Sequence, residues 1–246
     1  MPLRRDSYVL NMIRSAEWFH DWQMKALHTP VQRVEVDVRY NVGGDGYYVD
    51  NANQVYLPQS VGVPGRSDAE LDDAFVYGAT LLGHEIAHAF DSEGRQYDAD
   101  GTKTDWWTAG DDAAFRERAQ LMVDQYNEFV LAGGLRVNGA RSLRENIADL
   151  VGLRVALDAS KPTRQFAQNQ PIGGFTPLQR FFLGYAHGHM GHERPDSLAA
   201  RMNGNYAPDR ERVNGVVANL PEFYEAFGVK PGDRMYRAEG ARVKIW

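Results

Sequence analysis

The chain contains no cysteine, and that absence removes disulfides, thiolate zinc sites and cysteine nucleophiles together. Any metal it binds must be held by histidine and carboxylate. It also lacks an apolar run approaching the roughly 18 residues that a membrane-spanning helix needs. Its opening, Met-Pro-Leu-Arg-Arg-Asp-Ser, leads into a polar, amphipathic segment without the apolar core of a signal peptide. A cytoplasmic location is therefore expected, although exported bacterial proteins can also be free of cysteine. A basic patch is missing too: 27 Lys and Arg against 33 Asp and Glu give a net charge of −6, which argues against nucleic acid as the main partner. What is present, 246 residues of which 43% are hydrophobic and 24% charged, is the composition of a soluble globular protein. It is long enough to bury a full core, as one large domain or two small ones.

The expected elements are mostly helical. Residues 6–27 read as a helix opened by Asp6 or Ser7, with Tyr8, Met12, Trp18, Phe19, Trp22 and Leu27 near helical spacing. The β material is confined to a short region after it. Val31 to Tyr40 alternates as a half-buried strand, and Tyr47–Val49 and Gln54–Leu57 read as two short strands separated by Asp50–Asn53. A substrate could add to such a sheet edge as an extended strand, or the edge could simply be solvated. Residues 68–91 read as one long helix, 111–131 as an amphipathic helix stopped by Gly133-Gly134, and 177–186 as an apolar helix. Asp98-Ala-Asp100-Gly101-Thr102 matches the first half of a calcium loop but lacks its later ligands. Trp106-Trp107 reads as a core anchor, and Ile245-Trp246 as an apolar C-terminal segment docked into the core.

Chemistry concentrates in Leu-Leu-Gly-His84-Glu85-Ile-Ala-His88-Ala-Phe-Asp91. Histidines four apart on a helix stack on one face, and the glutamate beside the first is placed to take a proton from zinc-bound water. A buried histidine pair beside a glutamate by chance is the alternative. The segment Ser142-Leu-Arg-Glu145-Asn-Ile-Ala-Asp149 bears on that choice. Ser142 and Glu145 fit a helix capping box. Glu145 and Asp149 are also four apart on one face among apolar neighbours, and a buried carboxylate pair is costly without compensation. A zinc ion would supply it, with His84, His88 and Glu145 as ligands and Asp149 accepting from a ligand histidine. Farther on, His187-Gly-His189-Met-Gly-His192 places three histidines within six residues. Gly188 and Gly191 weaken any regular helix that would align them for a second metal. A polar pocket lining, or a solvated turn, is the preferred reading, with His187 and His189 as candidate substrate contacts.

These segments, together with Gly94-Arg-Gln-Tyr97, Asp105-Trp-Trp107, Arg212-Val-Asn-Gly215 and Asn219-Leu-Pro-Glu-Phe223, resemble the catalytic part of the neprilysin family of zinc metallopeptidases, of gluzincin type, from about Ser7 to Trp246. The resemblance implies a mainly α fold with a small β-sheet (α+β), a zincin-like catalytic domain spanning 1–246. It implies one Zn2+ on His84, His88 and Glu145, with Glu85 as general base and Asp91 and Asp149 orienting the ligand histidines. Arg212 matches a position that contacts a substrate carbonyl.

The chain departs from the family at three places. Tyr206 stands where the family carries a histidine that donates to the oxyanion. Asp45-Gly46-Tyr47 replaces the Asn-Ala-Tyr edge that grips the substrate backbone. The N-terminal helical region that roofs the family's cavity has no counterpart, so the chain is either a naturally short homologue or a piece of a longer protein, and a second copy or partner chain could cover the site. The expected activity is hydrolysis of an amide bond in a short peptide. A zinc enzyme acting on a small non-peptide intermediate is the alternative, followed by a non-catalytic zinc-binding interaction protein. Glu85, Asp149, Tyr206 and Arg212 are the candidate catalytic set, and Asp45, Gly46, Tyr47, His187, His189 and Arg212 the candidate substrate contacts.

Overall fold

The structure, a computed structural model, describes residues 4–27, 29, 46–57, 72–79 and 82–246. The expected strand over 31–40 and Asp45 lie outside those residues. The chain divides into two compact units, Met1–Val36 and Asp37–Trp246. The first carries helix α1, Tyr8–Ala26, opened by Ser7, whose hydroxyl accepts the Leu10 N–H. None of its residues is buried.

In the second unit, β1 (Tyr47–Val49) and β2 (Gln54–Tyr56) pair antiparallel, Tyr47 opposite Tyr56. The two rings stack 4.8 Å apart. The Asp50–Ala52 turn between the strands is closed by Asn53 in the left-handed region at φ 48°, a conformation asparagine tolerates better than most residues. Helices follow: α2 (Asp73–Ala79), α3 (Leu82–Ala87), α4 (Ala109–Asn127), α5 (Leu143–Ser160), α6 (Arg164–Gln168), α7 (Pro177–Gly188), α8 (Pro195–Arg201), α9 (Asp209–Val217) and α10 (Pro221–Phe227). The fold is thus mainly helical with a small sheet.

The single long helix expected over 68–91 is not what forms. After α3 the backbone tightens into a 3-10 turn over His88–Phe90, and Asp91 leaves it in extended conformation. Asp91 accepts the backbone N–H groups of Glu93 at 2.7 Å and Gly94 at 2.8 Å, an alternative to continuing the helix that a short acidic side chain readily offers. Asp98 Oδ1 likewise accepts the N–H groups of Asp100 and Thr102, so the segment closes on itself as a turn.

Helix α5 is the spine. Ile147, Leu150, Leu153 and Leu157 face a core shared with Met122 and Tyr126 of α4, Phe181, Phe182 and Tyr185 of α7, and Val216 and Val217 of α9. A second stripe, Glu145, Asp149 and Gly152, recurs at helical spacing and is buried as well. There α3 crosses α5 almost backbone to backbone. A Cβ on Gly83 would lie 2.4 Å from the Gly152 carbonyl oxygen, and one on Gly152 would lie 2.4 Å from the His84 nitrogen. Only glycine at both positions permits this approach, and it sets His84 beside the carboxylates of the same stripe. At the other end of the chain Val243 and Ile245 are buried, and Trp246 stacks on Phe115. Trp107 joins that aromatic group, whereas Trp106 is half exposed and donates its indole N–H to the Tyr97 carbonyl.

Candidate metal centre

The two motif histidines face each other despite the tightened turn. His84 Nε2 and His88 Nε2 are 3.1 Å apart, and Glu145 Oε2 lies 3.3 Å from the first and 3.8 Å from the second. Zinc bonds of about 2.0–2.1 Å in tetrahedral arrangement separate ligand atoms by about 3.3 Å, which these three spacings bracket. The other ring nitrogens point outward to carboxylates: His84 Nδ1 to Asp149 Oδ1 at 2.8 Å, and His88 Nδ1 to Asp91 Oδ2 at 2.5 Å. Each Nδ1–H is thereby fixed as a donor, which turns both Nε2 atoms inward.

Hydrogen-bond accounting separates three of the buried carboxylates. Asp91 accepts from His88, Arg144 and two backbone N–H groups. Asp149 accepts from His84 and twice from Arg212. Among the described residues Glu145 Oε2 is buried with no well-formed hydrogen bond, only the His84 imidazole nitrogen at 3.3 Å and that of His88 at 3.8 Å beside it, a costly state for a carboxylate that a cation relieves. The capping box is not made: Ser142 gives α5 no side-chain cap, its hydroxyl instead donating to the Asn138 carbonyl and accepting from Asn146. Glu145 is therefore free of a capping duty, and the donor set of two imidazoles and one carboxylate suits zinc. Among the described residues, the histidines at 187, 189 and 192 form no comparable cluster.

The electrostatics follow from burial. Burial alone would lower the His84 imidazole, but the Asp149 hydrogen bond and charge, with Glu145, outweigh it and hold it up to about 10. For Asp149 the same burial pushes the carboxyl up, and Arg212 and His84 reverse the sign, holding it well below the usual carboxylate range. Glu85, one residue from His84, is 5% exposed. Burial pushes its carboxyl above the ordinary value, and the charges of His84 and His88 oppose that without cancelling it. A raised carboxyl is a stronger base once ionised, the property a proton acceptor needs.

Of the candidate substrate contacts, Gly46 falls beside Glu85. A Cβ there would meet Glu85 Cγ at 3.4 Å and the Tyr56 carbonyl oxygen at 3.2 Å, so β1 runs directly beside the base. Tyr47 is half-buried in the same strand. The phenol of Tyr206 is partly exposed, and its ring lies 5.0 Å from the Arg212 guanidinium carbon. Burial and the nearby carboxylate of Glu145 raise its pKa above 10, leaving it a neutral donor. Arg212, expected at a substrate carbonyl, is tied to Asp149. Nε and Nη2 each donate to Asp149 at 2.7 Å, so what it can offer a substrate is Nη1 and the second hydrogen of Nη2. His189, edge-on to Tyr185 at 4.8 Å, is lowered by burial and sits within the fields of Asp149 and Arg212. His187 packs on Phe75 of α2.

Arg144 was not singled out in the sequence. Its guanidinium contacts Asp50, Asp91 and Glu93 at once. The available signal was a lone cation beside a buried carboxylate at the start of an apolar helix.

Comparisons with known proteins agree with this geometry. Residues 45–243 match the family model described as Peptidase family M13. The chain is 33% identical over 250 residues to Neprilysin-1 of Caenorhabditis elegans, covering 98% of this chain and 33% of that protein. It is 31% identical over 252 residues to human neprilysin, again covering 98% and 33%. Among solved structures it superposes on the inhibitor complex of the Mycobacterium tuberculosis zinc metalloprotease Zmp1 with a TM-score of 0.83 at 32% identity, covering 100% of this chain and 39% of the other. The chain spans about a third of the length of the curated relatives it matches.

Proposed function

This chain belongs to Peptidase family M13, and on that premise we propose that it carries the active centre of an endopeptidase that uses one zinc ion to hydrolyse an amide bond in a short peptide. The observation that carries the reading is Glu145 Oε2, buried without a well-formed hydrogen bond among the described residues and facing two imidazole nitrogens that are themselves fixed by Asp91 and Asp149. His84, His88 and Glu145 hold the metal. Bound there, zinc supplies a Lewis acid that polarises the scissile carbonyl and brings the pKa of a water toward about 7.

The remaining work falls to the chain. Glu85 takes the proton of the attacking water and passes it to the leaving nitrogen, a round trip suited to a buried, raised carboxyl. Substrate backbone lies along Gly46 and Tyr47, whose strand brings an extended peptide beside Glu85. Tyr206 donates a hydrogen bond from its phenolic O–H to the developing oxyanion, assisted by the hydrogens that Arg212 has left over from Asp149. His189 lines the same side as a neutral imidazole.

A fluorogenic peptide library decides the matter. Cleavage should be abolished by a chelator and restored by zinc. Glu85→Gln should bind zinc stoichiometrically and lose turnover. A zinc-loaded parent that cleaves no peptide would sink the reading.

A further inference from the structure

We propose that Arg144 is a positioning residue that ties the hairpin carrying the substrate edge to the carboxylate that orients His88. The proposal deepens the reading of the site as a zinc peptidase and rests on it for the word substrate.

The guanidinium has three arms. Nε donates to Asp91 Oδ2 at 2.9 Å, Nη1 to Glu93 Oε2 at 2.6 Å, and Nη2 to both oxygens of Asp50 at 3.1 Å. Two of these reach functional parts of the molecule that are far apart in sequence. Asp91 is fully buried and fixes the His88 ring through the same Oδ2 that Arg144 contacts. Asp50 follows directly on β1, the strand that passes beside Glu85. The third arm contributes least, because the Glu93 side chain is 61% exposed and such pairs are weak in water. Arg144 is itself anchored from behind: it precedes the ligand Glu145 on α5. One side chain thus joins the helix that supplies the third ligand, the acceptor behind the second ligand, and the hairpin.

The planar fork is what makes this work. Arginine presents donors in fixed, divergent directions, whereas a lysine ammonium is a single point on a flexible stem and serves one carboxylate well. Removing the arginine leaves Asp91 Oδ2 buried with the His88 proton alone, and leaves Asp50 with no tie to α5 through this residue. The two arms therefore carry separable effects, on metal retention through Asp91 and on substrate engagement through Asp50.

Three variants separate them: Arg144→Met, Arg144→Lys and Asp50→Asn. Zinc affinity is measured by competition with a chromophoric chelator, hairpin order by amide hydrogen exchange over residues 47–56, and peptide turnover at saturating zinc. Arg144→Met should weaken zinc by about 10–100-fold, the usual cost of losing a partner behind a metal ligand, and should speed exchange in the hairpin. Asp50→Asn should keep parental zinc affinity, speed hairpin exchange, and raise KM about tenfold with kcat retained, the scale of one charged hydrogen bond. Arg144→Lys should recover zinc affinity in part while the hairpin stays loosened. Parental zinc affinity and hairpin exchange in Arg144→Met would overturn the proposal. So would an Asp50→Asn variant that weakens zinc as much as Arg144→Met, since that points to bulk charge balance. If Arg144→Met does not fold, the other two variants decide. If the parent cleaves no peptide, the functional reading fails, while zinc affinity and hydrogen exchange still test the clamp.

Discussion

Arg212 donates two parallel hydrogen bonds to Asp149, the carboxylate that also accepts from His84. The pair is almost wholly buried, with the Arg212 side chain 11% and that of Asp149 2% exposed. Two desolvated charges hold together here because the guanidinium fork matches the carboxylate, and because the third contact on Asp149 is a ligand imidazole. Arg212 is therefore part of the scaffold that holds the carboxylate behind His84.

Breaking such a pair from one side costs about 3–5 kcal/mol where the remaining charge is uncompensated; here the His84 imidazolium still faces Asp149, so a loss at the low end of that range is expected. Arg212→Gln should destabilise the metal-free protein on that scale in urea unfolding and should weaken zinc as Asp149 loses its fixed position. A variant as stable as the parent would show that Asp149 does not depend on Arg212, leaving the arginine a substrate contact alone.

Zinc binding should release a proton in neutral solution. His84 is held up to about 10 in the metal-free site, chiefly by Asp149 acting against burial. The sign follows from linkage. Because the folded value lies above the unfolded one of about 6.5, the protonated imidazole stabilises the metal-free fold fully below about 6.5, and this contribution is lost as pH rises toward 10. Zinc needs the neutral ring, so its affinity runs the opposite way, rising with pH through the same window. Calorimetry at pH 7.5 in buffers of different ionisation enthalpy should show about one proton released from this group per zinc. No release would mean that His84 is already neutral there.

Tyr206 should act on the transition state rather than on substrate binding. Its phenol stays protonated because burial and the neighbouring Glu145 raise its pKa, so it can donate where charge develops on the scissile oxygen. Tyr206→Phe should lower kcat by about 100-fold or more with little change in KM. Its removal should not shift the pH profile below 10. An unchanged kcat would exclude the donor role and give the oxyanion to Arg212.

What the sequence made legible was local and periodic. His84, Glu85 and His88 announce themselves by helical spacing, as do Glu145 and Asp149, and the structure brings His84, His88 and Glu145 into one group that could hold a metal ion. The hairpin was readable because Asp50–Asn53 interrupts two short β-prone runs. Long-range or side-chain-driven features were not. The helix through the motif ends early because Asp91 captures backbone donors just beyond it. The capping box fails because Asn146 donates to the Ser142 hydroxyl. The partners of Arg144 and Arg212 lie more than fifty positions away in sequence, and nothing in local composition says which carboxylate an arginine will meet.

The crossing of α3 over α5 gives the sharpest test of how the site is positioned. Replacing a helical glycine by alanine ordinarily stabilises a helix, by up to about 1 kcal/mol. At Gly152 the new methyl would lie 2.4 Å from the His84 nitrogen and 2.6 Å from the Gly83 carbonyl carbon. These are backbone atoms of a packed helix and cannot swing aside as a side chain would. The helices must part, and overpacking of this kind costs about 1–3 kcal/mol. Gly152→Ala should therefore reverse the usual sign and lower stability in urea. It should also weaken zinc, because parting the helices draws His84, on α3, away from Glu145 and Asp149, on α5. A stabilised variant with parental zinc affinity would mean that the close approach is not what holds the metal site together.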